Sequence, residues 1–200
     1  MCGLRPPPAA KRRFVSVYPL TVAGLHRELP ICKITDELYI GAFICFGDAE
    51  LTVACARDML GLLDEGSYDY LFTAEAKSIP LIHEMARQSG AKKYFIARKG
   101  PKAYMPDPIH VEDSSITTAG TQRLYLGRDD AELIRGKRIV LMDDVISTGG
   151  SLHAMEALVA MAGGTVVDRI AVLAEGAAAQ RTDIKFIAPL PVFNADGSVK

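Results

Sequence analysis

The chain has 200 residues, of which 49% are hydrophobic and 24% are charged, and its formal net charge is −1. This composition fits one folded domain with a full core and excludes a chain that is mainly disordered. The near-zero charge gives no general attraction to nucleic acid or to an anionic membrane, so any anion site must be local.

Residues 1–13 are rich in proline and basic side chains and are predicted to form a flexible tail. They lack the apolar stretch of a secretory signal peptide, and no segment approaches the ~20 apolar residues of a membrane span. The four cysteines show no CxxC spacing, which favours reduced thiols over zinc ligands or a disulfide framework. We therefore expect a cytoplasmic protein that binds neither nucleic acid nor membrane.

The remaining chain divides into two predicted parts. Residues 14–60 follow no regular strand–helix rhythm and are predicted to form a small hood with a lead-in to the main domain. Residues 61–200 alternate β-branched or aromatic runs with segments of helical period, which predicts an α/β fold with a mainly parallel central sheet flanked by helices. In chain order the predicted elements are strand 68–73, helix 80–88, strand 94–98, a short acidic helix 129–135, strand 137–143, helix 151–162 and strand 166–173.

A long polar segment separates the second and third of these strands. Residues 100–122 read GPKAYMPDPIHVEDSSITTAGTQ. A segment of this length without regular structure inside a compact domain is usually functional or disordered. We predict a mobile loop that closes over the site as a lid. The side chains of this lid that are able to close over a ligand are Glu112, Ser115, Thr117, Thr118 and Gln122.

The stretch IVLMDDVISTGGS, residues 139–151, carries the clearest chemistry. A buried strand that ends in Asp143 and Asp144 delivers both acids to the carboxyl edge of the sheet, where open α/β folds bind ligands. Two carboxylates there can accept hydrogen bonds from a vicinal diol. The glycines that follow let an anion approach the backbone, while the next helix start and the hydroxyls favour a phosphate. The combination predicts a site for a ribose that carries a 5′-phosphate.

Other interpretations of this stretch are weaker. The nucleotide-triphosphate loop GxxxxGK[ST] is absent, and no lysine follows the glycines. Two acids at a strand end, or two glycines in a turn, would alone be explained by solvation and turn geometry, but their ordered combination favours a site. The histidines show no ligand spacing, so no protein metal site is predicted; they are His26, His83, His110 and His153.

Three segments resemble one known family. VLMDDVISTGGS resembles the diphosphoribosyl-binding motif of the type I phosphoribosyltransferases. FTAEAKSIPLIHEMAR resembles the pyrophosphate-binding loop and helix of that family, and YFIARKGPKAYM resembles the strand and start of the mobile loop in adenine phosphoribosyltransferases and close relatives. The resemblance covers roughly residues 68–176. It implies the type I phosphoribosyltransferase fold and a homodimer.

The resemblance also implies a reaction, in which a nucleobase nitrogen attacks C1 of 5-phosphoribosyl-1-diphosphate (PRPP) and pyrophosphate leaves. Magnesium would be bound mainly through PRPP oxygens. Asp143 and Asp144 would hold the ribose hydroxyls, while Lys77 and Arg98 would meet the diphosphate; these four form the implied catalytic set. Lys77 and Lys102 are equally compatible with solvated lysines. The implied PRPP-binding residues are Ala74, Glu75, Ala76, Lys77, Ser78, Arg98, Lys99, Lys102, Asp143, Asp144, Val145, Ile146, Ser147, Thr148, Gly149, Gly150 and Ser151.

The choice of base is less constrained. Relatives that act on 6-oxopurines usually carry an acid three residues after the paired acids, where this chain has Ser147. That departure favours adenine, with AMP as the product, and leaves xanthine, guanine and orotate open. No base-binding residue is assigned, since aromatic side chains are more often core than ligand contacts. The stacking candidates are Phe14, Tyr18, Tyr39, Phe43 and Phe193.

A regulator is the main alternative to an enzyme. Some purine-responsive repressors resemble the same fold, carry a similar pyrophosphate loop and bind PRPP without transferring it. Those repressors have an added winged-helix domain, whereas residues 1–67 contain no persuasive recognition helix. The enzyme is therefore favoured.

Overall fold

The computed structural model describes residues 16–113 and 122–200. Residues 176–180 form a short 3-10 helix. The strands in these residues are β1 (Val17–Val22), β2 (Leu25–Lys33), β3 (Tyr39–Gly41), β4 (Tyr70–Ala74), β5 (Phe95–Ala97), β6 (Ile109–Asp113), β7 (Gln122–Leu126), β8 (Arg138–Ile146), β9 (Thr165–Glu175), β10 (Lys185–Leu190) and β11 (Val192–Phe193). The helices are α1 (Ala49–Leu60), α2 (Ile79–Ser89), α3 (Arg128–Ile134) and α4 (Gly150–Met161).

A five-stranded parallel sheet in the order β10-β9-β8-β4-β5 forms the centre of the protein. Alternate residues of β8 pack on opposite faces. Val140 and Met142 join the apolar cluster of α1 and α2, and Ile139 and Leu141 join that of α3 and α4. Each of these buried side chains contributes about 1.5–3 kcal/mol of hydrophobic free energy. Helices thus cover both faces, as a parallel sheet requires, and the predicted α/β class is confirmed.

The helix boundaries follow local signals in the sequence. Pro80 lies in the first turn of α2, where its missing N–H is not needed. Gly90 ends this helix at a φ of 74° and donates its N–H to the carbonyls of Ala86 and Arg87, because glycine adopts the left-handed conformation without a steric cost. The helix predicted over residues 80–88 is confirmed to within one residue.

The strand that carries the paired acids is longer than predicted. It was expected to end at residue 143, but β8 continues to Ile146. The physical reason is its neighbour β9, which pairs with β8 as far as Ile146 and Ala174. The two acids therefore lie within a paired strand that is free only on its β4 side.

A second, antiparallel sheet has the order β1-β2-β3-β11. Its buried side chains on β1 and β2 join the apolar cluster on the α1 and α2 face of the central sheet. Ala23 and Gly24, both at positive φ, form the tight turn between β1 and β2. The first three strands fall within residues 14–60, the predicted hood. The fourth strand, β11, comes from the carboxyl-terminal end of the chain, and α1 packs instead on the central sheet. The hood sheet is thus assembled from both ends of the chain.

The expectation that residues 100–122 lack regular structure is wrong for part of that segment. β6 and β7 form an antiparallel hairpin in which Ile109 pairs with Leu126 and Val111 pairs with Leu124. Leu124 and Leu126 are buried in the cluster of α3 and α4, so hydrophobic burial fixes the hairpin against the sheet. Residues 114–121 lie outside the described part of the chain.

Two further expectations concern the whole chain. Among the described residues, no helix is long and apolar enough to cross a membrane. Cys32, Cys45 and Cys55 are free thiols. Burial raises the pKa of both Cys45 and Cys55 to about 12, so these two thiols are protonated at neutral pH.

Candidate active site

The candidate site lies where the strand order of the central sheet reverses. The chain leaves β4 toward β5 on one side and later enters β8 on the other side of β4. The loops after β4 and β8 therefore diverge and leave a crevice, which is the usual ligand site of open α/β sheets. Direct pairing between the two strands ends at Phe72 and Leu141, so the paired acids border this crevice.

Both acids are held by the serine that precedes α2. Asp144 is 3% exposed and Asp143 is half-buried. Ser78 Oγ donates to Asp143 Oδ1 at 2.7 Å and accepts a hydrogen bond from the Asp144 N–H at 2.9 Å. The same oxygen lies 3.3 Å from Asp144 Oδ1. One buried hydroxyl thus fixes the two carboxylates relative to each other.

Lys77 places a positive charge beside this pair. Its Nζ lies 2.8 Å from Asp144 Oδ2, while about half of the lysine side chain is exposed. Asp144 Oδ2 is buried and accepts no hydrogen bond of good geometry from any residue in 16–113 or 122–200. Buried oxygens of this kind are normally satisfied. Within these residues the Lys77 ammonium is the ionic partner of Asp144 Oδ2, so a ligand donor or cation would join or displace that lysine.

Neighbouring charges shift the pKa values of Asp143 and Lys77. Burial, followed by the charge of Asp144, raises the pKa of Asp143 to about 7. Burial acts to lower the pKa of Lys77, but the two carboxylates together outweigh it and raise that pKa. The crevice therefore combines a charged lysine with a carboxyl group that takes up a proton near neutral pH. Such a group can both accept and donate hydrogen bonds to hydroxyls.

The turn after β8 forms a small cradle. It encloses about 100 Å³ and is lined by Asp143 and residues 145–152. Gly149 precedes α4 at a φ of 85°, so the unpaired amide groups of the first helical turn face this region. The hydroxyl-bearing residues Ser147, Thr148 and Ser151 complete the lining. The volume and the donors suit one phosphate group.

Sequence reasoning missed two residues that lie against this cradle. A methyl group on Gly149 would lie 2.7 Å from Arg181 Nη1. Arg181 is itself paired with Asp183, with Nη2 and Oδ2 2.7 Å apart. Glu175, the last residue of β9, is buried, and burial raises its pKa while Ser147 acts to lower it. The segment after β9 carries no motif, so only contacts in the folded chain identify these residues.

An arginine–glutamate pair forms the third part of the site, at the ends of β4 and β5. Arg98 Nε lies 2.6 Å from Glu75 Oε2, and the Lys99 N–H donates to Glu75 Oε1 at 2.5 Å. Arg98 also donates to the hydroxyl of Tyr104 at 2.6 Å. Burial acts to raise the pKa of Glu75, but the Lys99 amide and Arg98 outweigh it and lower that pKa, and Lys102 adds to the lowering. Arg98 is thus paired with a glutamate of the loop that is expected to meet a diphosphate.

These contacts connect the residues that the sequence selected. Glu75 joins the loop after β4 to the end of β5, and Lys77 and Ser78 join that loop to the paired acids of β8. Among the lid candidates, Glu112 pairs with Arg123 across the β6–β7 hairpin at 2.7 Å. The other lid candidates lie outside the described residues, or their side chains do; they are Ser115, Thr117, Thr118 and Gln122.

The aromatic candidates for base stacking include core residues, partly exposed residues and one residue outside the described chain. Phe43 and Phe193 are 2% and 1% exposed and belong to the core. The ring of Tyr18 packs on Phe193, with centroids 5.2 Å apart, and Tyr39 is partly exposed in β3. Phe14 lies outside the described residues. The structure thus identifies core positions but assigns no base contact.

Two further observations concern ligands. A larger cavity of about 270 Å³ lies beside β5 and the start of α3; it shares Arg98 with the site but is not lined by the paired acids. Within residues 16–113 and 122–200, no cluster of three His, Cys, Asp or Glu residues has the arrangement of a metal site. Of these two regions, the crevice between β4 and β8 is the one that combines the acids, the cradle and the cations.

Comparison with known proteins connects this geometry to a family. The phosphoribosyl transferase domain family model matches residues 50–194. Adenine phosphoribosyltransferase of Mycobacterium avium is 40% identical over 95 residues, which are 48% of this chain and 49% of that protein. The match thus spans about half the length of that relative. Adenine phosphoribosyltransferase of Corynebacterium diphtheriae is 33% identical over 165 residues, which cover 79% of this chain and 76% of that protein.

Solved structures agree on the fold. The crystal structure of adenine phosphoribosyltransferase from Thermoanaerobacter pseudethanolicus aligns with a TM-score of 0.60 at 22% sequence identity. The alignment covers 71% of this chain and 82% of that one. At this identity the likeness shows a common architecture, and the chemistry must be argued from the site itself.

Proposed function

Because this chain belongs to the phosphoribosyl transferase domain family, we propose that it transfers the 5-phosphoribosyl group of PRPP to adenine, with AMP and pyrophosphate as products. The observation that carries the proposal is the crevice between β4 and β8. There a carboxylate pair adjoins a phosphate-sized cradle on one side and two cations on the other. A cytoplasmic homodimer, implied by the family resemblance, is part of the same proposal.

The chain's residues would divide the substrate among three subsites. Asp143 and Asp144 would accept the ribose hydroxyls, and residues 147–151 would hold the 5′-phosphate through amide groups and hydroxyls. Lys77 and Arg98 would exchange their present carboxylate partners for the departing diphosphate. Catalysis would then come from holding the base in line with C1 and from neutralising charge on the leaving group.

Magnesium fits the residues that are present. The paired acids do not form a complete protein cage, but the open oxygen of Asp144 lies beside the place proposed for the ribose hydroxyls. A hard ion that keeps several waters can be held largely by substrate oxygens in such a setting. When bound, it would supply positive charge to the diphosphate.

Adenine is favoured over other bases by two observations. The relatives described above are adenine phosphoribosyltransferases. Position 147, where relatives acting on 6-oxopurines usually have an acid, is a serine. Glu175 does approach this serine from β9, so the base preference needs a direct test.

The test is nucleotide formation by the purified protein with PRPP, magnesium and one base at a time: adenine, hypoxanthine, guanine, xanthine or orotate. Chromatography resolves the products, and a variant with both Asp143→Asn and Asp144→Asn serves as the inactive control. AMP from adenine alone supports the proposal. A different nucleotide would retain the reaction and correct the base. Tight PRPP binding without any nucleotide would favour the non-catalytic regulator.

A further inference from the structure

Ser78 occupies a helix start but does not act as a helix cap. It is the N-cap residue of α2, yet its side chain makes no cap hydrogen bond. Serine at this position normally accepts a hydrogen bond from an amide of the first helical turn, which stabilises the helix. The hydroxyl of Ser78 is 1% exposed and is directed to the acids of β8 instead.

The hydroxyl contacts one carboxylate oxygen of each acid. Ser78 Oγ contacts Oδ1 of Asp143 at 2.7 Å and Oδ1 of Asp144 at 3.3 Å. The Asp144 N–H donates to the same Asp143 Oδ1 at 2.9 Å. Both Oδ1 atoms are therefore held by the protein. Asp144 Oδ2 is buried and pairs with the Lys77 ammonium, and it becomes available to a ribose hydroxyl when Lys77 turns to the ligand, as proposed above.

We propose that Ser78 is a positioning residue that sets the selectivity of this site for a ribose over a 2-deoxyribose. The inference rests on the proposed function, since it takes the acid pair as the diol-binding group. Two vicinal hydroxyls require two acceptor oxygens at a fixed separation, and the Ser78 hydroxyl holds both carboxylates at once. Without it both carboxylates rotate. Ribose then loses well-placed acceptors for two hydroxyls, whereas a 2-deoxy sugar, which has only the 3-hydroxyl, loses the acceptor for one.

The experiment measures dissociation constants by calorimetry for ribose 5-phosphate and for 2-deoxyribose 5-phosphate, with magnesium present. The quantity compared is the ratio of the two constants. Ser78→Ala and Ser78→Cys should each reduce that ratio about tenfold, the effect of losing one hydrogen bond of ordinary strength. The affinity for 2-deoxyribose 5-phosphate should fall by a smaller factor than the affinity for ribose 5-phosphate.

Thr73→Val is the matched control. Thr73 lies on β4, is fully buried, and donates its hydroxyl across to the Met142 carbonyl of β8 at 2.8 Å. The variant removes a buried hydroxyl that reaches β8, as that of Ser78 does, but that bonds a backbone carbonyl and not a carboxylate. It should lower stability while leaving the ribose-to-deoxyribose ratio unchanged.

The outcomes separate the inference from the function on which it rests. Wild-type protein that prefers ribose 5-phosphate, with an unchanged ratio in both Ser78 variants, overturns the inference and leaves the proposed function standing. An equal fall of the ratio in Thr73→Val shows a general structural effect and also overturns it. Failure of the wild-type protein to bind ribose 5-phosphate counts against the proposed function, and the inference falls with it.

Discussion

Two cations of the candidate site are each already paired with a carboxylate of the same site. Lys77 contacts Asp144, and Arg98 contacts Glu75. The crevice therefore carries little net positive charge, although its proposed ligand carries several negative charges. A diphosphate must replace these carboxylates as the partner of each cation. The replaced carboxylates are then left unpaired beside a negatively charged ligand. This arrangement explains at the residue level why a divalent cation that travels with the substrate suits the site.

Replacing one of the paired acids should weaken ligand binding while the protein still folds. Asp144→Asn removes the charge that faces Lys77 and weakens the acceptor proposed for the ribose. We expect the dissociation constant for PRPP to rise about 100-fold, as for loss of a charge-assisted hydrogen bond. Calorimetry measures the affinity, and circular dichroism checks the fold.

The matched control for this variant is Asp69→Asn. Asp69 pairs with Arg138 and links the same two strands at their opposite ends. This variant should bind PRPP like the wild-type protein. Unchanged affinity in Asp144→Asn would refute the role given to that carboxylate.

The raised pKa of Asp143 makes a prediction about stability. A carboxyl group with a raised pKa holds its proton more tightly in the folded state. The folded protein therefore loses stability as pH rises from about 4 to about 7, the range between the ordinary and the folded pKa. Asp143→Asn removes this loss. Its free energy of unfolding, relative to wild type, should increase by about 1 kcal/mol or more between about pH 5 and about pH 8, allowing for partial exposure.

Urea unfolding at the two pH values, without ligand or metal, measures this difference. Asp69 again gives the contrast, because the hydrogen bond from Arg138 lowers its pKa to about 2. The contribution of Asp69 is lost only as pH falls toward that value, so Asp69→Asn should show no change over the same range. A pH-independent effect of Asp143→Asn would mean that the two acids do not interact as described.

At the level of elements, local pattern predicted most strands and helices but not their partners. Residues 139–142 are apolar and include two β-branched side chains, so their burial follows from the sequence. The continuation to Ile146 depends on pairing with β9, a contact distant along the chain. In the same way, the polar composition of residues 100–122 concealed the burial of Leu124 and Leu126, which packs the hairpin.

The candidate site also has one part that the local sequence predicts and another part that depends on tertiary packing. Adjacent acids followed by a glycine turn form a local motif, so their common location was predictable. The direction of the Ser78 hydroxyl and the approach of Arg181 and Glu175 depend on how separate loops pack. No spacing in the sequence encodes those contacts.

The turn between β8 and α4 should tolerate no side chain at Gly149. A φ of 85° is strained for a β-branched residue, and the added atoms would meet Arg181. Gly149→Val should therefore cost about 1–3 kcal/mol of stability and raise the dissociation constant for ribose 5-phosphate at least tenfold. Unfolding and calorimetry measure the two effects.

Gly136→Val separates backbone strain from loss of the cradle. Gly136 has a φ of 70°, and a Cβ there would have no neighbour within 4 Å. This variant should lose stability through the same backbone strain and keep its affinity for ribose 5-phosphate. If Gly149→Val also kept normal affinity, the phosphate cradle would lie elsewhere.

At the level of the whole molecule, the two ends of the described chain meet in the hood sheet. β11 pairs with β3, and Phe193 packs its ring on Tyr18. The chain reaches β11 directly from β10, the edge strand of the central sheet. The carboxyl-terminal segment therefore connects the hood sheet to the sheet that carries the site.

This connection predicts that stability and phosphate binding respond differently to a change in β11. Phe193→Ala removes a fully buried ring and should cost about 3–5 kcal/mol of stability. Affinity for ribose 5-phosphate should stay within about twofold of wild type under conditions where the variant is folded, because the acids and the cradle belong to β8 and α4. Val199→Ala, at a 60% exposed position nearby, should change stability by less than about 0.5 kcal/mol. Urea unfolding and calorimetry on the three proteins make the comparison. A tenfold loss of affinity in Phe193→Ala alone would show that the hood sheet shapes the phosphate site, and the assignment of phosphate binding to β8 and α4 alone would be wrong.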